Sequence, residues 1–264
     1  MSELVDLQRY PLHDGEAIRP LIEHCRSQLK QTSLACLPGF LTAEVAQAMT
    51  QEVLDAMPRA YRREQSFSAY SEADLAKYPA DHVRWRKHSS RQFVVANDIL
   101  DRSGLLRTLY QDDTLRRQIA AMLDEPALYQ LADPVMGCTS TVMFEGDTHG
   151  WHFDMNDFVV SILLQAPEAG GTFDFAPNIR DEGAENYAAV EAVLDGKSAA
   201  QRSVKVEPGT LLLFCGRRAL HCVPAIIGKK PRVIALFSYD RKPGVRYDAD
   251  VYQRVVGRRT VFEA

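Results

Sequence analysis

Two imidazoles and one carboxylate are the groups of this chain most able to do chemistry together. His152 and Asp154 are separated by Phe153, and His221 lies in a short apolar segment further along. Successive side chains of a β-strand point to opposite faces, so the first and third residues of His-x-Asp project to the same side. Two imidazoles and a carboxylate on one face of an octahedral metal leave other positions open, as is typical of non-heme iron. The spacing therefore predicts an iron site formed by His152, Asp154 and His221.

A single arginine follows at the start of the next strand-like segment. Arg232 opens the sequence Arg-Val-Ile-Ala-Leu-Phe, whose β-branched and aromatic residues favour a strand. A guanidinium group can hold a carboxylate through two parallel hydrogen bonds, more rigidly than a lysine can. Arg232 is therefore the candidate anchor for a carboxylate that binds beside the metal.

In residue type and order, His152, Asp154, His221 and Arg232 resemble the iron and 2-oxoglutarate residues of the Fe(II)/2-oxoglutarate-dependent dioxygenases. The resemblance covers about residues 139 to 240. It implies Fe(II), 2-oxoglutarate as co-substrate and O2, with release of succinate and CO2 as an unactivated C–H bond of a small substrate is hydroxylated. It also implies a double-stranded β-helix, a jelly-roll relative of the cupins, with the iron inside the barrel mouth.

The distribution of apolar segments is compatible with such a fold. Short apolar segments between glycine and proline turns predict a mainly β protein with flanking α-helices. We expect one catalytic domain, residues 1–264, with a helical N-terminal part over 1–135. The core would span 136–242, interrupted by an insertion containing a helix at about 176–201, and an extension would follow over 243–264.

Two helices are predicted before the core. Thr42 is a plausible N-cap, and Val45, Met49, Val53 and Met57 follow at four-residue intervals, which is typical of a core-facing stripe. A second helix is expected over about residues 113–124, with its apolar residues on one side. Both helices should support the barrel.

Within the dioxygenases, one group looks most similar to this chain. Its members act on free amino acids, and the similarity lies in the overall length, the segment His-Gly-Trp-His-Phe-Asp and the order of the glycine-rich strands. Some members are radical halogenases, in which glycine replaces the metal-binding aspartate so that chloride can bind. Asp154 fills that position here, so the resemblance implies hydroxylation and not halogenation. The expected substrate is a free amino acid, with basic amino acids among the candidates.

Two more residues are candidate substrate contacts. His149 lies close to the metal motif, and Gly150 would let the backbone bend toward the iron, although strict alternation would turn His149 away. Arg91 belongs to a polar, aromatic-rich stretch over residues 62–98. That stretch is either a solvated loop or a segment that folds over the barrel mouth, where Arg91 would hold a substrate carboxylate.

Other functions remain open at this point. A hydroxylase of a peptide or a carrier-tethered substrate would share the same iron site, and a non-catalytic jelly-roll binding module would share the fold. The formal net charge of −4, with dispersed lysines and arginines, does not suggest a nucleic-acid or membrane partner. No apolar segment is long enough to span a membrane and no signal peptide is recognisable, so a cytoplasmic protein is expected. Neither the second 2-oxoglutarate contact nor the oligomeric state is predicted.

Overall fold

The computed structural model describes residues 4–70, 75–181 and 183–262. Its helices are α1 (Arg19–Thr32), α2 (Ala43–Asp55), α3 (Leu105–Tyr110), α4 (Asp113–Met122), α5 (Tyr187–Leu194) and α6 (Ala249–Val256). Its strands are β1 (Leu34–Leu37), β2 (Tyr61–Ser68), β3 (Lys87–Val95), β4 (Tyr129–Gln130), β5 (Cys138–Met143), β6 (His149–His152), β7 (Val159–Gln165), β8 (Ala169–Gly170), β9 (Phe173–Ala176), β10 (Arg202–Val204), β11 (Thr210–Phe214), β12 (Leu220–Val223), β13 (Ile226–Ile227), β14 (Arg232–Phe237) and β15 (Tyr239–Asp240).

Eleven strands form one curled antiparallel sheet in the order β1-β11-β7-β14-β5-β3-β6-β12-β9-β10, with β2 paired to β3. The sheet turns at β3. The C-terminal half of this strand pairs with β5 through Phe93 to Val95, whereas Ser90 pairs with His149 of β6. One strand thus joins two halves, β1-β11-β7-β14-β5 and β6-β12-β9-β10, which curl toward each other as in a jelly roll. The predicted fold class is confirmed.

The N-terminal part contributes more than helices. Strand β1 pairs with β11, and β2 and β3 form a hairpin at the turn of the sheet. The two strands lie near the ends of the stretch over 62–98, which is therefore not simply a solvated loop, and residues 71–74 lie outside the described residues. The strands are difficult to recognise in this polar stretch, because β2 pairs only with β3 and the outer face of β2 is exposed to solvent. On that face, Arg62 and Glu64 form an ion pair.

The helices pack on the outside of the sheet and follow their sequence signals closely. Thr42 caps α2, its side chain accepting a hydrogen bond from the Val45 amide at 3.3 Å. Met49 and Val53 are fully buried in the main apolar core. Met57 of the predicted stripe lies beyond α2, in a 3-10 turn that contains Pro58. Helix α4 covers the expected residues, with Asp112 as its N-cap.

The interior between the two halves of the sheet is aromatic on one side. Phe173, Phe175 and Phe214 belong to a separate apolar cluster there, and the Phe214 ring centroid is 4.7 Å from that of His221. The predicted insertion after β9 contains helix α5, which packs in a third cluster with Phe153. In the parts of the chain that the structure describes, no helix has the length and apolar character needed to cross a bilayer.

Candidate metal centre and carboxylate pocket

Two paired strands bring the two histidines together. His152 ends β6 and lies directly opposite His221 of β12, with ring centroids 4.0 Å apart. Phe153 turns to the other face and packs on Tyr70, so the alternation expected of His-x-Asp is observed. Asp154 follows just beyond the strand end, and its amide donates a hydrogen bond to the Gly216 carbonyl at 3.1 Å. The strand pairing and this bond position all three side chains.

The ligand atoms enclose a space that suits a single cation. Nε2 of His152 is 3.7 Å from Oδ1 of Asp154, and Nε2 of His221 is 3.5 Å from Oδ2. One donor atom from each residue lies within 4.8 Å of the other two. Among the described residues, no other group of three histidine, cysteine or acidic side chains is arranged in this way. The three residues predicted as metal ligands therefore meet at one place.

Backbone carbonyl groups determine which ring nitrogen of each histidine carries the proton. Nδ1 of His152 lies 2.8 Å from the Gly150 carbonyl oxygen, and Nδ1 of His221 lies 3.0 Å from that of Ala219. A carbonyl oxygen only accepts, so each Nδ1 carries the proton and each Nε2 presents its lone pair to the centre. Burial lowers the pKa of His152 to about 3 and that of His221 to about 4, so both rings stay neutral at neutral pH. Two neutral imidazoles and a carboxylate fit Fe(II).

Gly216 makes room for the carboxylate ligand. A Cβ atom at this position would lie 1.7 Å from Oδ2 of Asp154, so the carboxylate can occupy its place only beside a glycine. The φ angle of Gly216 is not positive. The requirement is therefore one of space and not of backbone conformation.

Arg232 is a buried cation that lacks a counter-ion among the described residues. Its side chain lines the same pocket as the metal residues, and only 3% of the residue is exposed. Nε donates a hydrogen bond to the Gly171 carbonyl at 3.2 Å. Burial lowers the pKa of Arg232 to about 10, which leaves it protonated at neutral pH. An unpaired buried cation is costly, so the pocket should attract an anion. This arrangement fits the distal carboxylate of 2-oxoglutarate.

A β-bulge brings His149 to the metal side of β6. Val223 pairs with His149, and His221 pairs with His152. The three residue steps from His149 to His152 on β6 therefore lie opposite two residue steps on β12, which is the spacing of a bulge. The His149 ring consequently lies 4.0 Å from that of His152, with Nδ1 2.8 Å from Oγ of Ser90. Gly150 is needed because a Cβ atom there would lie 2.6 Å from Cβ of His88. Close strand packing explains this glycine, and the bulge, not a flexible bend, turns His149 into the pocket.

Arg91 is not brought to the pocket. The pairing of β3 turns Ser90 toward His149 and Gln92 toward the interior, so Arg91 between them faces outward and is exposed. Its guanidinium donates a hydrogen bond to the Gly146 carbonyl. The structure places Arg63 in the pocket instead, on the neighbouring strand.

The sequence alone does not indicate that Arg63 and its strand partner Gln92 line the pocket. The cavity that contains the metal residues has a volume of about 380 Å³, which suits a small molecule, and both side chains line it. Period-two alternation over residues 61–68 would have placed Arg63 and Phe67 on one face, if the stretch had been recognised as a strand. The identity of that face depends on pairing with β3, which a single sequence does not give.

Comparison with known proteins agrees with this geometry. A family profile described as "HalD: Halogenase D" matches residues 19–251 of the chain. The match extends well beyond residues 139–240, which carry the resemblance in sequence motifs. No curated protein sequence matches the chain.

Several solved structures share the fold. A protein of Burkholderia pseudomallei described as an oxidoreductase of the 2OG-Fe(II) oxygenase family is 17% identical, with a TM-score of 0.50 over 85% of this chain and 92% of that one. The non-heme alpha-ketoglutarate-dependent carbocyclase SnoK is 13% identical, with a TM-score of 0.56 over 92% and 93% of the two chains. The epimerase SnoN, solved with Fe3+ and alpha-ketoglutarate, is 14% identical, with a TM-score of 0.52 over 83% of each chain. At these identities, the similarity shows that the chain has the fold of 2-oxoglutarate oxygenases.

Proposed function

The chain belongs to the halogenase D family, and on that premise we propose that it is an Fe(II)/2-oxoglutarate-dependent dioxygenase that hydroxylates a free amino acid. The observation that carries the oxygenase chemistry of this proposal is the complete set of His152, Asp154 and His221 around one cation-sized space. Bound there, iron together with 2-oxoglutarate and O2 supplies the oxidation of a C–H bond to an alcohol, while the co-substrate is converted to succinate and CO2.

The residues of this chain have distinct tasks in that reaction. His152 and His221 hold the metal through Nε2, and their Nδ1 hydrogen bonds to backbone carbonyls keep the rings oriented. Asp154 completes the protein ligands, fixed by the Gly216 carbonyl. Arg232 pairs with the distal carboxylate of 2-oxoglutarate and thereby sets the direction in which the co-substrate enters the cavity. The aromatic cluster beside His221 limits the access of water to the centre.

Asp154 favours hydroxylation over halogenation. A halide could bind the metal only at a position that the protein leaves free, and the Asp154 carboxylate lies within 3.7 Å of both imidazoles, at the third protein position. Removing this carboxylate would open the position. Hydroxyl transfer to carbon is therefore the proposed outcome in the natural chain.

The experiment that tests the function measures succinate. The protein is reconstituted anaerobically with Fe(II), then given 2-oxoglutarate and O2 with each proteinogenic amino acid and with ornithine. We expect one or a few amino acids to stimulate succinate formation well above the rate without substrate, with one hydroxylated product per succinate. The Asp154→Ala variant should lose this signal because one of three metal ligands is missing.

Other outcomes separate the alternatives. Slow succinate formation that no free amino acid stimulates would contradict the substrate class and favour a peptide or carrier-tethered substrate. Absence of iron-dependent turnover in the natural chain would contradict the enzyme class itself and favour a binding module. Chlorinated product from the natural chain in the presence of chloride would overturn the assignment of Asp154.

A further inference from the structure

We infer that Arg63 is a second carboxylate anchor, which binds the carboxylate of the substrate, and that this substrate carries a neutral and not a basic side chain. The inference rests on the proposed function and deepens it. It depends on four observations about the hairpin β2–β3 and the cavity beneath it.

The first observation is the position of Arg63 in the sheet. Arg63 pairs with Gln92 of β3, and the pairing of Phe93 with Val142 sets Gln92 beside Met143 of β5. Met143 pairs in turn with Arg232 of β14. The two arginines therefore begin and end one row across four strands, at most roughly 14 Å apart between backbones at about 4.8 Å a strand. Two anions could be held in one cavity from opposite ends of this row.

The second observation is that Arg63 lacks a partner among the described residues. Its Nε atom is buried without a hydrogen bond, and no carboxylate forms an ion pair with its guanidinium. Burial lowers the pKa of Arg63, but an arginine stays protonated in proteins. The adjacent Arg62, on the outer face, is bound by both oxygens of Asp147 at 2.7 Å. The hairpin thus satisfies the outward arginine and leaves the inward one available to an anion.

The third observation concerns the side of the cavity that Arg63 serves. Phe67 lies on the same inner face of β2, and its ring centroid is 5.9 Å from those of His149 and His152. The proposed co-substrate anchor Arg232 approaches from β14, at the other end of the row. Arg63 is therefore better placed for the substrate.

The fourth observation is the chemistry of the remaining lining. The lining includes the neutral polar residues Gln92, Thr139, Thr141 and Ser161, and much of the rest is apolar. Among the described lining residues, the sole carboxylate is that of Asp154, which would be coordinated to the metal. An ammonium side chain would enter beside two arginines without a counter-ion, which is unfavourable. An amino acid with a neutral side chain fits the cavity better than lysine or ornithine.

The test measures binding without turnover. Calorimetric titrations under anaerobic conditions use the protein loaded with Zn(II) and 2-oxoglutarate, and the probes are leucine, norleucine, lysine, ornithine and leucinamide. We expect leucine or norleucine to bind and lysine, ornithine and leucinamide to bind at least 10-fold more weakly. Arg63→Gln should weaken binding of the neutral amino acids by about 10- to 100-fold, the effect of one charged hydrogen-bonding group. Arg91→Gln, on the outer face of the next strand, should leave this binding unchanged.

A second variant guards against misfolding of the first. Gln92→Glu would place a carboxylate beside Arg63, satisfy its charge within the protein and also weaken amino-acid binding, while the thermal midpoint stays the same or rises. The affinity for 2-oxoglutarate, titrated separately, should not change in either variant.

Four results would overturn the inference. Binding of 2-oxoglutarate that falls in Arg63→Gln would make Arg63 a co-substrate anchor. Unchanged amino-acid binding in that variant, or tightest binding of lysine or ornithine, would remove the proposed anchor or the proposed substrate class. Absence of binding by all five probes would also reject the amino-acid class. A failure of the proposed function itself would appear in different measurements. The natural chain would then not bind the metal or would form no succinate in an iron-dependent reaction.

Discussion

Arg232 and Arg63 differ from the paired arginines of this chain in what they contact. Arg62, Arg86 and Arg241 each bind two carboxylates, whereas neither of the two pocket arginines has an acidic partner among the described residues. Burying an unpaired cation destabilises the ligand-free protein, and this destabilisation persists until an anion binds. Binding and stability should therefore respond in opposite directions when one of these charges is removed.

Arg232→Gln tests this relation for the co-substrate. The variant should bind 2-oxoglutarate about 10- to 100-fold more weakly, because a charge-assisted contact is lost. The thermal midpoint of the metal-free variant should stay the same or rise, because a buried unpaired charge has been removed. Arg232→Lys should fall between the natural protein and Arg232→Gln in co-substrate affinity, since lysine keeps the charge without the two-pronged geometry.

Calorimetric titration of 2-oxoglutarate into the Zn(II)-loaded protein and scanning calorimetry of the metal-free protein measure the two effects. Arg202→Gln, at an exposed position of β10, is the matched control and should change neither quantity. Unaltered 2-oxoglutarate affinity in Arg232→Gln would place the distal carboxylate elsewhere. A large drop in metal-free stability would make Arg232 a structural residue.

At the scale of strands and turns, the metal site depends on features that no ligand residue contains. Strand β6 ends at His152, and the turn after β11 supplies Gly216, whose carbonyl fixes Asp154 and whose missing side chain gives the carboxylate its space. The bulge in β6 adds His149 to the same side. Changes in these elements should weaken metal binding although all three ligands are retained.

Gly216→Ala is the corresponding prediction. The new Cβ atom would lie 1.7 Å from Oδ2 of Asp154, so the carboxylate must move and metal affinity should fall by about 10- to 100-fold, as for other residues that orient ligands. Competition with a chromogenic chelator for Zn(II) measures the affinity. Gly15→Ala is the control, because no atom lies within 4 Å of its Cβ position and its φ angle is not positive. Equal metal affinity in the two variants would contradict the role given to Gly216.

The sequence predicts the candidate metal ligands and Arg232, but it predicts few of the other side chains that line the cavity. Local sequence patterns are sufficient to propose His152, Asp154, His221 and Arg232. Each lies in or next to a strand-like segment, and each side chain has the chemistry that its proposed role requires. The sequence leaves the direction of His149 ambiguous, because a bulge depends on the partner strand. It does not show why position 150 requires glycine, because the neighbouring His88 is remote in sequence. The sequence does not distinguish Arg63 from Arg91 as a pocket residue, because the face of a polar strand is set by its pairing. Local patterns thus predict candidate ligands, whereas the strand register determines which other side chains lie beside them.

The whole molecule assembles this pocket from distant parts of the chain, from Arg63 on β2 to Arg232 on β14. An unfolded chain cannot bring these residues together, so metal and co-substrate should bind the folded state alone and stabilise it. A ligand at 100 times its dissociation constant contributes about 2.7 kcal/mol. For a chain of this size, that corresponds to a rise in the thermal midpoint of roughly 5 to 10 °C.

We therefore expect two additive increments in thermal midpoint, one for Zn(II) and a further one for 2-oxoglutarate in the presence of Zn(II). Scanning calorimetry of the variants assigns each increment to its residues. In chloride-free buffer, where no halide can replace the missing carboxylate, Asp154→Ala should lose both, because the co-substrate binds through the metal. Arg232→Gln should keep the first and lose most of the second. Arg63→Gln should keep both, since its proposed ligand is the substrate. A midpoint that 2-oxoglutarate raises equally with and without metal would contradict a shared site, because the cavity would then hold the co-substrate independently of the three ligands.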